Sequence, residues 1–335
     1  MKKLGTLFIL ALAALTVYSC KQEKKAANFL PGSTGSENSL MVVMDNSLWQ
    51  GEVGEKVREV FATPAVSLMP EQAILTLTQI PPQVFKGATT HARSVLFVQK
   101  DTLTIAHVKR DVYADPQNIA VVKGKTNAEI VAGIEKIGKE AITAFKAVEI
   151  AAVQERFNRS LSKETAIEDE LGVKLTLPSV YRVGKQEKNF VWVDRQIPKG
   201  NMNIIAYSIP EKTFTSDSTF VQDIVKLRDS IGKKYVPGPD AGTYMMTEKA
   251  FAPYVFPAEI GGRKAAEVRG IWEINGYPMA GPFLMYIIND KPNKRKLVLE
   301  GFTFAPNTQK RDYMFELEAV LKTLEFSNET EMASK

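Results

Sequence analysis

One segment of the sequence repeats apolar residues every three or four positions over a greater length than any other. The repeat starts at Ile130 and continues to Ala152, with Glu and Lys between the apolar positions. This spacing places the apolar side chains on one face of an α-helix. Thr126 and Glu129, three residues apart, form the pattern of a capping box that begins a helix. The sequence therefore predicts a helix over residues 126–160, on the order of 50 Å long at about 1.5 Å per residue.

The rest of the chain is dominated by short strand-like runs, bounded by Gly, Pro, Asn and Asp. Strands are predicted at residues 40–44, 95–98, 103–108, 118–122, 173–178, 190–193, 202–209, 268–274, 283–288 and 297–304. Further amphipathic helices are predicted at residues 47–61, 220–231 and 313–324. Because the strands follow one another through short polar turns and do not alternate with helices, we expect an α+β fold. Its sheets are mostly antiparallel, with amphipathic helices packed on one face.

The two halves of the chain share an order of elements, in which strands and a hairpin precede an amphipathic helix. This order suggests two related lobes. The residues 95–98 and 103–108 are joined by a short polar stretch, which predicts a hairpin. The predicted organisation is a signal peptide (1–19), a lipidated tether (20–38), a first α+β lobe (39–165), a second α+β lobe (166–326) and a frayed tail (327–335).

The amino-terminal residues have the layout of a secretory signal peptide. Lys2 and Lys3 precede an uncharged apolar run that ends at Val17 and is shorter than the roughly 20 residues a membrane span needs. Ser19 followed by Cys20 resembles the lipobox of bacterial lipoproteins, in which the cysteine is acylated. We expect an exported protein, lipid-anchored to the outer membrane through Cys20 and facing the periplasm, with the cell surface as the second location. An ordinary signal peptide with a chance cysteine is the alternative.

Composition excludes several classes of chemistry. Cys20 is the only cysteine, so after its acylation no thiol is left for a disulfide, a metal ligand or a nucleophile. His91 and His107 are the only imidazoles, and neither has an obvious catalytic partner. The net charge is +5, and +3 without Lys2 and Lys3, which does not indicate a nucleic-acid partner. We therefore expect no metal, no cofactor and no catalytic residues of a recognisable constellation.

Candidate ligand-contacting residues lie in the second half. Aromatic side chains with a polar edge suit sugar, peptide and partner surfaces, and they suit the core equally well. Trp272 is followed by a stretch rich in Gly, Pro and aromatic residues up to Phe283, which would form one wall of a ligand groove. The opposite wall would be the loop at residues 235–246, where Tyr244 and Met245 add adaptable apolar surface.

Charged residues in the predicted second lobe allow two interpretations. Arg228 and Arg269 each have a carboxylate close in sequence, Asp229 and Glu267. Such residues form structural ion pairs, or they point into a cleft and hold an anionic ligand. The candidate ligand- or partner-binding residues are Tyr244, Met245, Arg269, Trp272 and Phe283.

Several short motifs, in order along most of the chain, resemble a known family. The motifs are Leu30-Pro-Gly-Ser-Thr-Gly35, Val42-Val43-Met44-Asp45 with Trp49, Ala114-Asp-Pro-Gln117, Phe190-Val-Trp192, Arg228-Asp229, Arg269-Gly-Ile-Trp272, Gly281-Pro-Phe283 and the helix at residues 316–324. They are similar to an uncharacterised lipoprotein family of Bacteroidetes, catalogued as domain of unknown function 4837. The resemblance implies a location and an architecture, because the family has no established activity.

These observations favour a membrane-anchored lipoprotein of the cell envelope that binds a small molecule or an envelope protein and is more an accessory protein than an enzyme. The alternative is a carboxylate-dependent hydrolase acting on glycan, since two Asp or Glu residues suffice for that chemistry. A third hypothesis is a structural lipoprotein without a ligand, which predicts that no sizeable pocket exists.

Overall fold

The computed structural model describes residues 29–214 and 216–327. The predicted signal peptide, Cys20 and the tail at residues 328–335 lie outside the described residues.

The first lobe contains a sheet covered by helices. Its elements are β1 (Ser39–Val43), α1 (Asn46–Trp49), α2 (Glu52–Phe61), β2 (Thr76–Ile80), β3 (Ser94–Lys100), β4 (Ile105–Arg110), β5 (Asn118–Gly124) and α3 (Asn127–Phe157). The strand order is β2-β1-β3-β5-β4. The pairings β1 with β2, β1 with β3, and β3 with β5 are parallel, whereas β4 pairs antiparallel with β5.

The hairpin predicted between β3 and β4 does not form. β5 lies between these two strands and pairs with both of them. β3 is almost continuously buried and occupies the centre of the sheet, whereas β4 is half-buried and lies at the edge. A continuously apolar strand needs both of its faces covered, and such strands are typical of parallel sheets.

The second lobe is built on a larger antiparallel sheet. Its elements are α4 (Ala166–Leu171), β6 (Val173–Lys174), β7 (Arg182–Glu187), β8 (Phe190–Ile197), β9 (Gly200–Pro210), α5 (Phe220–Tyr235), β10 (Met245–Thr247), β11 (Tyr254–Ile260), β12 (Arg263–Ile274), β13 (Tyr277–Asp290), β14 (Arg295–Phe304), α6 (Arg311–Leu321) and β15 (Glu325–Phe326). The strand order is β10-β12-β13-β14-β9-β8-β7, and β11 pairs with β12 beside β10. The predicted α+β class with mostly antiparallel sheets is confirmed.

Both faces of the larger sheet are covered. Leu284 and Tyr286 on β13 pack with α4, α6 and the end of α3, whereas Met285 and Ile287 pack on the side of α5. The helices therefore lie on two faces, where the sequence pattern predicted one. The continuous burial of β13 explains the difference, because a strand with two covered faces has no polar alternation. The sheet also differs in topology from that of the first lobe, so the two lobes share helices and strands but not a strand order.

The long helix α3 joins the two lobes. The side chain of Thr126 accepts a hydrogen bond from the backbone of Glu129 at 3.2 Å, as the capping-box pattern predicted. Ile130 and Ile134 belong to the core of the first lobe, whereas Val153 and Phe157 belong to the core of the second. One helix thus supplies apolar side chains to both cores. No helix in the described part of the chain is long and apolar enough to cross a membrane.

Candidate functional site

A cleft of about 330 Å³ lies between the two lobes. The first lobe contributes Leu68, Leu75 and Ile142, and the second contributes Phe256, Met314 and Phe315. The volume falls within the range of ligand pockets, about 300–1,000 Å³. A structural protein without a ligand would have no such space, so the cleft argues against that hypothesis.

A network of charged side chains lies along one part of this cleft. Glu318 on α6 forms ion pairs through Oε1 with Lys146 at 2.7 Å and Lys322 at 2.8 Å, and its Oε2 accepts a hydrogen bond from Arg269 at 2.7 Å. Arg269 also donates to Glu267 at 2.6 Å. Three cations face two carboxylates, which leaves one positive charge in excess. Lys146 is the most exposed of the three cations, at 39% of its side chain, and it lines the cleft.

The charge states of this network follow from its contacts. Burial acts to raise the pKa of Glu318, but Arg269, Lys146 and Lys322 outweigh it and hold that pKa well below its usual range. Burial and the carboxylates of Glu318 and Glu267 raise the pKa of Tyr286 well above its ordinary value. The Tyr286 hydroxyl therefore remains protonated and donates to Glu267 at 3.0 Å. Glu318 is therefore ionised and Tyr286 neutral at neutral pH.

Two carboxylates in a cleft are also the requirement of the alternative hypothesis, a glycan hydrolase. Glu267 and Glu318 both line the cleft and share Arg269. A glycosidase needs one protonated carboxylic acid to donate to the leaving group. Glu318 is ionised and ion-paired, and Glu267 is occupied by Arg269 and Tyr286. This arrangement favours binding over acid catalysis. Among the residues described, no group of His, Cys, Asp and Glu side chains is arranged to hold a metal.

The sequence-predicted residues divide between two places. Arg269 and Phe283 line the interlobe cleft, although the ring of Phe283 belongs to the core on the α5 side together with Met245 and Trp272. Met245 and Trp272 line a separate cavity on that side of the sheet. Tyr244 is half-buried in the loop beside that second cavity, where its backbone N–H donates to the side chain of Asn275 at 2.6 Å. A role for these five residues in ligand binding stays a prediction.

Sequence reasoning missed Glu318 and Lys146. The two residues are far apart in the chain, so no local sequence pattern predicts their ion pair. One feature of the sequence does indicate that Glu318 has charged partners. Glu318 lies on the apolar stripe of α6 with Met314 and Leu321, and a carboxylate on a buried stripe needs charged partners.

Arg228 belongs to a buried network on the side of α5. Its guanidinium donates to Glu300 at 3.0 and 2.7 Å and to Thr247 at 3.2 Å. It also lies 3.9 Å from the centre of the Phe283 ring. Burial raises the pKa of Glu300, and Arg228 opposes that effect. Because Arg228 and Glu300 are nearly inaccessible, this pair has a structural role and not a ligand-binding one.

The two histidines lie outside the cleft. His107 is on β4, and its Nε2 is buried without a hydrogen-bond partner in the described structure. His91 ends a short 3₁₀ turn, and its carbonyl accepts from the backbone of Thr34 at 2.8 Å. Neither imidazole is placed to act on a ligand in the cleft.

The fold and the cleft define a two-lobed α+β protein with a charged, partly apolar interlobe cleft. Residues 160–323 match the model of the family described as Domain of unknown function (DUF4837). The resemblance seen in the sequence is confirmed for these residues. Residues 33–158 match the model of a second family, Domain of unknown function (DUF8532).

Among solved structures, the chain is similar to the Ran-binding protein Mog1p of Saccharomyces cerevisiae, at 7% identity and a TM-score of 0.30, over 48% of this chain and 92% of Mog1p. It is also similar to LpqN of Mycobacterium tuberculosis, a protein involved in cell envelope biogenesis, at 13% identity and a TM-score of 0.28. That similarity covers 46% of this chain and 82% of LpqN. The comparison with curated proteins gives no match.

Proposed function

We propose that this protein is a non-enzymatic binding protein of the cell envelope whose interlobe cleft holds an amphiphile with an apolar chain and one anionic head group. The observation that carries this proposal is the combination, in one cleft, of apolar walls from both lobes with a charge network that has one cation in excess.

The apolar part of the ligand would lie between the lobes. Burying an apolar surface contributes about 25 cal/mol per Å², so an alkyl chain in this cleft gains free energy from each methylene it removes from water. Val66 and Phe256 line the cleft and are exposed large apolar side chains. Exposed apolar residues at the edge of a pocket are typical of a binding site.

The anionic head group would lie beside Lys146. The ammonium of Lys146 contacts Glu318, and the side chain is 39% exposed. An ammonium has three donors, so donor capacity is left for a ligand oxygen. Charge-assisted hydrogen bonds of this kind contribute roughly 1.5–3 kcal/mol. A neutral amphiphile of the same length lacks this contribution.

The location in the envelope rests on the amino-terminal sequence. A basic start, an uncharged apolar run and Cys20 are the features of an acylated, exported protein. A multiply acylated cysteine would hold the two lobes at the outer membrane, on the periplasmic side or at the cell surface, since two chains anchor stably where one does not.

Replacement of Cys20 by Ala should move the protein from the membrane fraction to the soluble fraction, and retention in the membrane would contradict the anchor.

The ligand is tested with a matched pair of amphiphiles. We expect calorimetric titration with dodecanoate to give a dissociation constant about tenfold or more below that for dodecanol, the difference that one charge-assisted hydrogen bond provides. Lys146→Met should abolish the difference. Lys322→Met is the matched control, because Lys322 contacts the same Glu318 oxygen but does not line the cleft.

Two results would contradict the proposal. If neither amphiphile binds, the cleft is not a site for apolar chains. If dodecanoate binds, and Lys146→Met and Lys322→Met weaken its affinity equally, the affinity depends on the net charge of the network and not on a contact with Lys146.

A further inference from the structure

A second cavity, of about 290 Å³, lies on the face of the second-lobe sheet opposite the cleft. Its walls include four aromatic and two amide side chains, Trp192, Trp272, Phe302, Phe304, Asn201 and Asn203, together with the apolar side chains of Met245, Ile274 and Met279. Residues 236–239 of the loop after α5 close another side. In the described part of the chain, no charged side chain lines this cavity. A ligand with a net charge would therefore lose its hydration without gaining a counter-ion.

The aromatic rings form a continuous series along the cavity. Phe302 lies 6.2 Å from Trp192 and 5.9 Å from Trp272, measured between ring centres, and Trp272 lies 6.3 Å from Phe304. The indole of Trp272 lies across Gly281, where an added Cβ would come within 2.9 Å of the indole nitrogen. The same Cβ would come within 2.2 Å of the Thr303 carbonyl, so the close approach of both β14 and the indole requires glycine at this position.

The polar groups of the cavity are oriented by one another. The indole N–H of Trp192 donates to Oδ1 of Asn203 at 3.1 Å, and Nδ2 of Asn203 donates to Oδ1 of Asn201 at 2.8 Å. This chain of hydrogen bonds fixes which way each amide faces. The amide N–H groups of half-buried Asn201 remain as donors at the cavity, with no partner among the described residues.

Trp272 supplies a second unused donor. Its side chain is 2% exposed, and its Nε1 has no hydrogen-bond partner in the described structure. A buried donor without a partner costs roughly 1–3 kcal/mol. An oxygen of a ligand seated at the edge of the indole would remove that cost.

The cavity wall formed by the loop after α5 is held in place without a ligand. The backbone N–H of Gly238 donates to the carbonyl of Thr243 at 2.8 Å, and Asn275 in the β12–β13 turn accepts from Tyr244 at 2.6 Å. Pro237 and Pro239 restrict the backbone further. A cavity that is already formed saves the entropy cost of ordering its walls when a ligand binds.

From these observations we propose that the cavity binds a neutral saccharide. A pyranose ring has an apolar C–H face that fits against an indole, and its hydroxyl groups accept from amide and indole N–H donors. Aromatic faces, oriented amides and the absence of charge among the described lining residues match that chemistry together. The site lies on the opposite face of the sheet from the cleft, so this inference stands or falls independently of the proposed amphiphile.

Tryptophan emission gives a direct test. The chain has three tryptophans, and Trp49 lies in the first lobe. In a Trp49→Phe variant of the full chain, the emission therefore comes from Trp192 and Trp272, which both line the cavity. We would titrate this variant with N-acetylglucosamine, its β-1,4-linked disaccharide, cellobiose, maltose and glucuronate.

A saturable change in emission with at least one neutral saccharide, and a weaker response to glucuronate, is the expected result. Asn201→Ala should weaken that binding about tenfold, the loss of roughly one hydrogen bond. Asn158→Ala, at an exposed position at the end of α3, is the control and should leave the affinity unchanged.

The inference is overturned by any of three results. The first is that no neutral saccharide changes the emission. The second is that p-cresol binds and the saccharides do not, which would make the cavity a site for aromatic rings. The third is that Asn201→Ala and Asn158→Ala bind the saccharide with equal affinity.

Discussion

Glu318 lies where the charges of the two lobes meet. It belongs to α6 of the second lobe, but one of its partners, Lys146, is on α3. The carboxylate is 2% exposed and carries the counter-charge for three cations. Removing one member of a buried ion pair is destabilising because its partner stays buried without compensation. Here Arg269 is the buried partner, whereas Lys146 and Lys322 are 39% and 33% exposed and can turn to water.

Glu318→Gln should therefore lower the free energy of unfolding at pH 7 by about 1.5–3 kcal/mol, because Lys146 and Lys322 are partly exposed and Arg269 keeps Glu267 as a partner. The folded-state pKa of Glu318 lies below the ordinary value of 4.5, so its stabilising effect is complete above that pH and is lost as the pH falls below it. Urea unfolding between pH 7 and pH 3 checks both effects. The variant should lose less stability than the wild type on acidification.

The control for that experiment is Glu140→Gln, which changes an exposed carboxylate on α3 without a salt bridge in the described structure. It should leave both the stability at pH 7 and its acid dependence close to those of the wild type. If the dependence on pH is the same in Glu318→Gln as in the wild type, the carboxylate does not titrate as the network implies.

At this scale the sequence predicted less than at any other. Glu267 and Arg269 are two residues apart, so their pairing was visible as one interpretation of the sequence. Glu318 and Lys146 are far apart in the chain and meet only because α6 and α3 pack together. Periodicity predicts which face of a helix is buried, but it contains no information on which other helix will cover that face.

At the scale of elements, local rules held where the element depends on local contacts. The capping-box pattern at Thr126 and the long apolar repeat predicted α3, which is present. The Thr126 side chain caps the helix as predicted, but the Glu129 side chain accepts from the backbone of Lys125 instead of that of Thr126. The Asn275-Gly276 pair predicted the turn between β12 and β13, where Gly276 adopts the left-handed conformation with a φ of 72°. The pairing of β3 with β5 was not predictable from local rules, because it depends on which strands are buried at the centre of the sheet.

The amino-terminal cap of α3 provides an element-scale prediction. Thr126→Ala removes the hydroxyl that accepts from the backbone of Glu129 and should lower the free energy of unfolding by about 0.5–2 kcal/mol. Thr126→Ser keeps that acceptor and should cost much less. Chemical denaturation of the two variants measures the difference, and equal losses would show that the hydroxyl does not act as a cap.

At the scale of the whole molecule, α3 makes the two lobes mechanically dependent on each other. Its first half is part of one core and its last turns are part of the other. The ion pair between Lys146 and Glu318 and the hydrogen bond from Gln154 to the carbonyl of Ala319, at 2.9 Å, add polar contacts across the same junction. The cleft exists only while this junction is intact, since its walls come from both lobes.

We therefore expect the lobes to unfold in one cooperative transition, although they match two different family models. The tryptophans report on the lobes separately. Trp49 reports on the first lobe in a Trp192→Phe, Trp272→Phe variant, and the other two report on the second lobe in Trp49→Phe. The urea midpoint from tryptophan emission should be the same in both variants. In each variant it should also equal the midpoint from far-ultraviolet circular dichroism, which reports on the whole chain.

Core substitutions complete the test of cooperativity. Phe61→Ala in the first core and Phe157→Ala in the second each remove a buried ring and should cost about 3–5 kcal/mol. If α3 couples the lobes, each substitution lowers the midpoint seen by both sets of tryptophans. If Phe61→Ala shifts only the transition seen by Trp49, the lobes unfold independently. The side of the cleft that the first lobe forms would then be lost while the second lobe stays folded.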